Sequence, residues 1–195
     1  LERDVFHVSF DDWSLYDRFH EVYLSTMRRV AAAPRYFFGA SYFKDLRTML
    51  GEERLHVAAA FSPDDQLASL SLFTECSGIV QFFLSGTSES YRKQAPSKLV
   101  LHKAREWFAE RGNKVFHLGG GLAAAEDSLF RFKAGFSKQR AEFSSLQLVT
   151  APDRYEALVA RWQELNPQST LRSGFFPSYR RTVQSESGDA RPVRS

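Results

Sequence analysis

Phe83-Leu84-Ser85-Gly86-Thr87, followed by Tyr91-Arg92-Lys93-Gln94-Ala95-Pro96-Ser97-Lys98-Leu99, is the stretch at which the chain changes its period. Upstream, apolar residues come in strand-length runs. Leu55 to Phe61 and Leu67 to Phe73 read as neighbouring strands joined by the turn Ser62-Pro63-Asp64-Asp65, and Ile79 to Leu84 as a third strand after Ser77-Gly78. Downstream of Ser85, strands and helices alternate. Pro96 suits the first position of a helix, where a missing N–H costs nothing and the fixed φ is already helical. Val100, Ala104, Trp107 and Phe108 give that helix an apolar stripe, and Gly112 closes it. Consecutive strands followed by alternation predict an α/β fold (an α+β mixed sheet) with helices on both faces. Several mixed α/β folds share this periodicity.

Working outward, Leu15, Phe19, Val22, Tyr23 and Met27 recur at helical spacing behind Ser14 as N-cap. A short helix follows from Tyr42 to Leu50 and stops at Gly51. On the other side, Lys114 to Leu118 reads as a strand running into Gly119-Gly120-Gly121. Asp127 caps a short helix that ends near Gly135, Phe143 to Val149 reads as a strand, and Tyr155 to Leu165 as the last helix. The expected organisation is one domain over residues 1–165 and a polar extension over 166–195. Its last stretch, Gln184 to Ser195, is rich in Ser, Asp and Arg and is expected to be disordered.

With 195 residues, 43% hydrophobic and 25% charged, the chain has the composition of a globular domain able to bury a sizeable core. Its 18 phenylalanines exceed what the length suggests, and either a core or a groove for a flexible substrate can absorb them. A net charge of +3 suits an anionic ligand without suggesting a histone-like nucleic-acid binder. Cys76 is the single cysteine, so no internal disulfide can form. Absence of a long apolar run or a leader pattern makes a cytoplasmic location, with no transmembrane segment, the expectation.

Two stretches carry a resemblance. One is the opening stretch quoted above; the other is Phe116-His117-Leu118-Gly119-Gly120-Gly121 with Asp127-Ser128-Leu129-Phe130-Arg131-Phe132-Lys133-Ala134-Gly135-Phe136. Together they resemble the FemABX-like branch of the GNAT acyltransferases, which includes BioF2-like acetyltransferase domains and aminoacyl transferases of peptidoglycan precursors. Gly174-Phe175-Phe176-Pro177-Ser178-Tyr179-Arg180 looks like the ending of such domains in surface-polysaccharide gene clusters. The resemblance implies the GNAT fold and transfer of an acetyl or aminoacyl group to an amine of an amino sugar, cell-envelope precursor or peptide. It implies acyl-CoA (acetyl-CoA) or aminoacyl-tRNA as donor, with amino-sugar acetylation favoured by the tail. The best-known members pair two such domains, whereas this chain has room for one, so pairing with a second GNAT domain or as a homodimer is the expectation. The competing expectation is a catalytically silent GNAT-fold binding module.

Four groups of residues could carry chemistry. GNAT enzymes place an Arg/Gln-x-x-Gly-x-Gly/Ala loop before the long helix, where backbone amides and the helix N-terminus hold a pyrophosphate. Here Arg92-Lys93-Gln94-Ala95-Pro96-Ser97 stands in that place without the glycines; Arg92, Lys93 and Lys98 can neutralise phosphates and Ser97 adds a hydroxyl. Gly119 and Gly120 lie in a strand-end turn that can bring backbone close to a ligand, or serve only as a tight turn. Leu129, Phe132 and Phe136 form an apolar stripe with Lys133 beside it. The resemblance assigns activity to the pair Phe132 and Lys133. A cationic Lys133 would stabilise the oxyanion that forms when an amine attacks a thioester or ester, the alternative being a snorkelling lysine. His117 stands at a strand end where relatives often carry Asp; an imidazole there can take a proton near neutral pH, or simply pack. His56 and Glu75 carry the same pair of readings. No metal site is predicted, because no His/Cys spacing suits one.

Overall fold

Among the described residues, five strands form one sheet in the order β1-β2-β3-β4-β5, with β1 His7–Phe10, β2 Leu55–Phe61, β3 Leu67–Cys76, β4 Ile79–Thr87 and β5 Val115–His117. The structure, a computed structural model, describes residues 6–122, 125–168 and 175–181. Contacts divide the chain into two units, residues 1–138 and 139–195. The tail expected to be disordered, Gln184 to Ser195, lies outside the described residues.

In the first unit, β1 to β4 pair antiparallel and β4 pairs parallel with β5. Short turns join β2 to β3 and β3 to β4, residues 11–54 lie between β1 and β2, and the parallel pair needs a crossover, supplied by α3 (Pro96–Glu110). The mixed sheet agrees with the expectation. β1 was not foreseen: four residues are too few for a clear alternation, and its place is set by pairing with β2.

Apolar residues fill both sheet faces. On one, Phe19 and Tyr23 of α1 (Tyr16–Arg29) and Phe43 of α2 (Ala40–Leu50) pack on Leu55, Val57, Ala59, Leu70 and Leu72. On the other, Val100, Leu101, Ala104 and Phe108 of α3 pack on Ala58, Ala60, Phe73, Val80 and Phe82. The period-2 alternation of β2 and β3 thus serves two cores, and phenylalanine supplies the centre of each. Ser14 is not the cap of the first helix. Asp12 accepts the Ser14 amide at 3.1 Å and starts a 3-10 turn, Trp13–Leu15, that leads into α1.

β4 contains the feature that shapes the site. Leu72 faces Leu84 but Phe73 faces Phe82, so Phe83 is an extra residue and the strand bulges there. The β4–β5 ladder runs only through Ile79–Val115, Val80–Phe116 and Gln81–His117. β5 ends at that last pair, so from Phe82 onward β4 has no β5 partner, and this unpaired edge is the β4–β5 opening. The upper half of β4 is held from the other side by α1. An ideal Cβ on Gly86 would lie 2.8 Å from the Val22 carbonyl oxygen, so only glycine lets the helix backbone rest there. Thr87 gives its amide to Thr26 Oγ1 at 3.0 Å and accepts from Arg29 Nη2 at 3.1 Å. Arg29 Nη1 also donates to Glu89 at 2.9 Å, which ties the loop after β4 to the same helix.

His56 and Glu75 are part of a clasp at the opposite end of the sheet. His56 is 1% exposed, its Nδ1 3.0 Å from Asp11 Oδ2. Its Nε2 lies 3.0 Å from Glu75 Oε2 but without hydrogen-bond geometry. Glu75 accepts from Arg111 at 3.0 Å and Asn113 at 2.7 Å, joining the end of α3 to β3. Burial pushes the Glu75 carboxyl up, and the hydrogen bonds from Asn113 and Arg111 with the charges of Arg111 and His56 outweigh it. The carboxyl ends below its ordinary value. Neither residue belongs to the β4–β5 opening.

The second unit holds α5 (Pro152–Leu165) with Pro152 in its first turn. Tyr155 stacks on Phe176 at 5.9 Å, donates to Ser178 Oγ at 3.1 Å and accepts the Ser178 amide at 3.1 Å. Trp162 Nε1 donates to the Arg181 carbonyl at 3.0 Å. The strand expected over 143–149 does not form: the segment has no strand assignment, and Phe143 is 95% exposed. Apolar alternation alone makes no strand without a partner to accept its hydrogen bonds.

Candidate active site

The opening between β4 and β5 is bounded by residues from three elements. α4 (Ser128–Ala134) follows β5 and is capped as expected: Asp127 accepts the Phe130 amide at 2.8 Å and the Leu122 amide at 3.0 Å. Those amides, Leu122 first, hold the Asp127 carboxylate below its ordinary value. The cap aims Lys133 back over the strand-end turn.

Lys133 is half-buried. Its Nζ donates to the Gly120 carbonyl at 3.0 Å and stands 5.9 Å from the Phe82 ring centroid. Burial lowers its pKa below the ordinary lysine value, against the opposing pull of Asp127. The carbonyl it reaches belongs to the exposed Gly120, in the turn that leaves β5. Gly119 has φ +73°, and a Cβ there would meet Lys133 Nζ at 3.3 Å and Gln81 Nε2 at 3.6 Å. The glycine thus leaves room for Lys133 Nζ, while the Gln81 contact would be an ordinary one. What it presents to Lys133 is the acceptor carbonyl of Gly120.

Phe132 is half-buried against the α3-side core and meets Phe136 edge-on at 5.5 Å. The stripe predicted from Leu129, Phe132 and Phe136 is only partly realised, since Leu129 and Phe136 are 37% and 40% exposed. A seven-residue helix lays little more than one residue of its stripe on the sheet.

His117 is exposed at the end of β5, and its Nδ1 is hydrogen-bonded to Gln81 Oε1. Gln81 also donates from Nε2 to the Phe82 carbonyl at 2.8 Å. Gln81 was missed in the sequence, where a lone polar residue in the apolar run of β4 was its one signal. His117, Gly119, Gly120, Phe132 and Lys133 are therefore brought together at the foot of the opening.

Arg92, Lys93, Ser97 and Lys98 sit apart, at the far end of β4. Arg92 and Lys93 lie in a 3-10 turn (Glu89–Gln94) and line a surface concavity with Glu89 and Ser90. Ala95 takes a left-handed conformation, φ 50° and ψ 52°, and Pro96 then starts α3 with no side-chain cap on its first amides. Lys98 is exposed and Ser97 half-exposed in that first turn. Cationic side chains beside an uncapped helix N-terminus suit phosphate groups.

Among the described residues no group of three or more His, Cys, Asp or Glu could hold a metal ion, and no helix is long and apolar enough to cross a membrane.

Residues 2–134 match the family described as Acetyltransferase (GNAT) domain, and the chain belongs to that family. It is a GNAT-type N-acyltransferase, and acyl-CoA is the donor class of such enzymes. No curated protein sequence matches this chain. Solved structures share the fold at low identity. An aminoglycoside acetyltransferase from an uncultured soil metagenomic sample, in complex with sisomicin, superposes with a TM-score of 0.56 at 8% identity, over 75% of this chain and 97% of that one. The aminoglycoside N-acetyltransferase AAC(6')-Iy in complex with CoA gives 0.55 at 9%, over 77% and 99%. A ribosomal-protein-alanine N-acetyltransferase from Brucella melitensis biovar Abortus 2308 gives 0.53 at 14%, over 75% and 100%.

Proposed function

We propose that this enzyme moves an acetyl group from acetyl-CoA to a primary amine of an amino sugar or cell-envelope precursor, at the opening between β4 and β5. The observation that carries the reading is Lys133, half-buried, its ammonium held at the turn that leaves β5 by the Gly120 carbonyl. Attack of the amine on the thioester carbonyl puts negative charge on its oxygen. An ammonium already fixed in place stabilises that charge without reorganisation. His117 takes the proton that the attacking amine must lose, and Phe132 forms apolar wall.

Arg92, Lys93, Lys98 and Ser97 hold the donor's phosphates. β4 from Gln81 to Thr87 gives about 20 Å of strand between the two ends of the site. Its upper half has no β5 ladder, so an extended pantetheine arm can lie along it. The residues suit the group by charge and by the uncapped start of α3.

Within the superfamily we place the chain in the FemABX-like, BioF2-like branch on its Gly-Gly-Gly and Leu-Phe-Arg-Phe-Lys motifs. Aminoacyl-tRNA is the alternative donor of that branch, and a second GNAT domain or a second copy would complete the acceptor side. A thermal-shift series with acetyl-CoA, longer acyl-CoAs and aminoacyl-tRNA tests the donor, since a ligand that binds only the native state raises Tm. An amine panel then follows, with an amino sugar, an aminoglycoside and an alanyl peptide as acceptors. Stabilisation by acetyl-CoA with turnover of the amino sugar is expected. Stabilisation by tRNA alone, or no turnover of any amine, would overturn the reading in favour of a binding module.

A further inference from the structure

Gln81 and His117 face each other across the last rung of the parallel ladder, and the glutamine is tethered at both ends of its amide. The tether decides which end is which. Phe82 lies one residue past that rung, and its carbonyl oxygen can only accept. The amide group 2.8 Å from it must therefore be the NH₂. That leaves Oε1 toward the imidazole, and an amide oxygen can only accept as well. The nitrogen facing it, His117 Nδ1, must carry the proton.

A neutral imidazole has one protonated nitrogen. With the proton on Nδ1, the lone pair sits on Nε2, at the end of the ring away from Gln81. We infer that Gln81 is a positioning residue that fixes His117 in the Nδ1–H tautomer, so that Nε2 is the basic nitrogen available to the acceptor amine. The inference rests on the proposed role of His117 as base. In the transfer itself, the amine nitrogen bonds to the thioester carbonyl carbon, the C–S bond breaks and CoA leaves as the thiolate. His117 Nε2 takes one proton from the nitrogen and returns it to solvent or to the thiolate.

The end of the ladder at this rung gives the arrangement a structural origin. If the β4–β5 ladder continued, Phe82 would meet a β5 partner and Gln81 would have no reason to turn its NH₂ toward that carbonyl. Gly119 lies beside the tether: a Cβ there would stand 3.6 Å from Gln81 Nε2, in ordinary contact.

Long-range ¹H–¹⁵N spectra of the imidazoles test the tautomer directly, without an acceptor. In the wild-type protein above the midpoint of His117 titration, the protonated nitrogen is expected to be Nδ1. Gln81→Met keeps the length of the side chain but removes both hydrogen bonds, and should move the proton to Nε2, the preferred site of an untethered imidazole. Gln81→Glu should keep Nδ1–H and raise the His117 midpoint by roughly one pH unit or more, as an adjacent carboxylate does. A residue that merely packs would move neither signal. An Nε2–H wild-type spectrum overturns the inference, and so does a Gln81→Met spectrum like that of the wild type. If Gln81→Met fails to fold, the wild-type spectrum and the Gln81→Glu titration still decide. The role of His117 is tested separately, by turnover of acetyl-CoA with the amine accepted in the panel. Loss of kcat in His117→Ala of roughly a hundredfold supports the base. Full activity there removes the base while leaving the tautomer assignment standing.

Discussion

Lys133 Nζ donates to the carbonyl oxygen of Gly120 at 3.0 Å, so the one lysine of α4 is bound to the turn that leaves β5. This contact spends one of the ammonium's three donors and leaves its direction fixed. A lysine held this way is poised to meet a developing charge, and the lowered pKa follows from the same burial.

Lys133→Ala should lower kcat by roughly a hundredfold or more with little change in the KM for acyl-CoA, because the interaction forms in the transition state. Lys133→Arg should rescue only part, since the guanidinium keeps charge but not compact shape. Stability of the Ala variant should stay within about 1 kcal/mol of wild type by chemical denaturation. Full activity of the Ala variant would dismiss the oxyanion role.

The pH dependence of the same residue has a definite sign. A lysine whose folded pKa lies below its unfolded value binds its proton less tightly in the native state, so the cost of burying the ammonium is present at neutral pH. That cost is relieved as pH rises from the folded value toward 10.5. Activity that needs the ammonium should therefore fall on the alkaline side before pH 10.5, and the decline should be missing from the residual rate of Lys133→Ala. An alkaline limb identical in both would assign it to another group.

Gly86→Ala should destabilise the first unit by about 1 to 3 kcal/mol, because the new methyl meets the Val22 backbone and not a side chain that can turn away. Urea unfolding measures it. An unchanged midpoint would mean that α1 shifts freely on β4.

Glu75→Gln should remove stability that is present at neutral pH and absent in acid. The native carboxyl lies below its unfolded value of about 4.5, so its contribution is complete above that pH and fades as pH falls through the native value. Wild type and variant should differ in Tm at pH 7 and converge in acid. A difference constant with pH would make the clasp one of packing and not of charge.

Replacing Arg92, Lys93 and Lys98 together with Ala should raise the KM for acyl-CoA roughly tenfold, from exposed charges each contributing under about 1 kcal/mol. It should also flatten the dependence of KM on salt, which screens such charges. An unchanged KM would move the phosphate site elsewhere.

Much of the fold was legible because it is local. β2, β3 and β4 announce themselves by period-2 apolar runs between turns, α3 by Pro96 and its stripe, and α4 by the Asp127 cap. What escaped depends on partners. β1 is four residues long and is a strand only because β2 lies beside it, while 143–149 has the apolar pattern and no strand. Asp12 displaced Ser14 as the cap because a 3-10 turn came first.

For the site, the sequence by itself determined the residue types at each place: the basic loop before Pro96, the three glycines after β5, and Lys133 beside an apolar stripe. Spacing along one helix or strand is enough for that. Only the tertiary structure decided that Lys133 reaches the Gly120 carbonyl, that His117 meets Gln81, and that His56 and Glu75 belong to a clasp elsewhere. Each of those joins residues far apart in the chain. A bulge is a property of two strands in register, and neither strand alone encodes it.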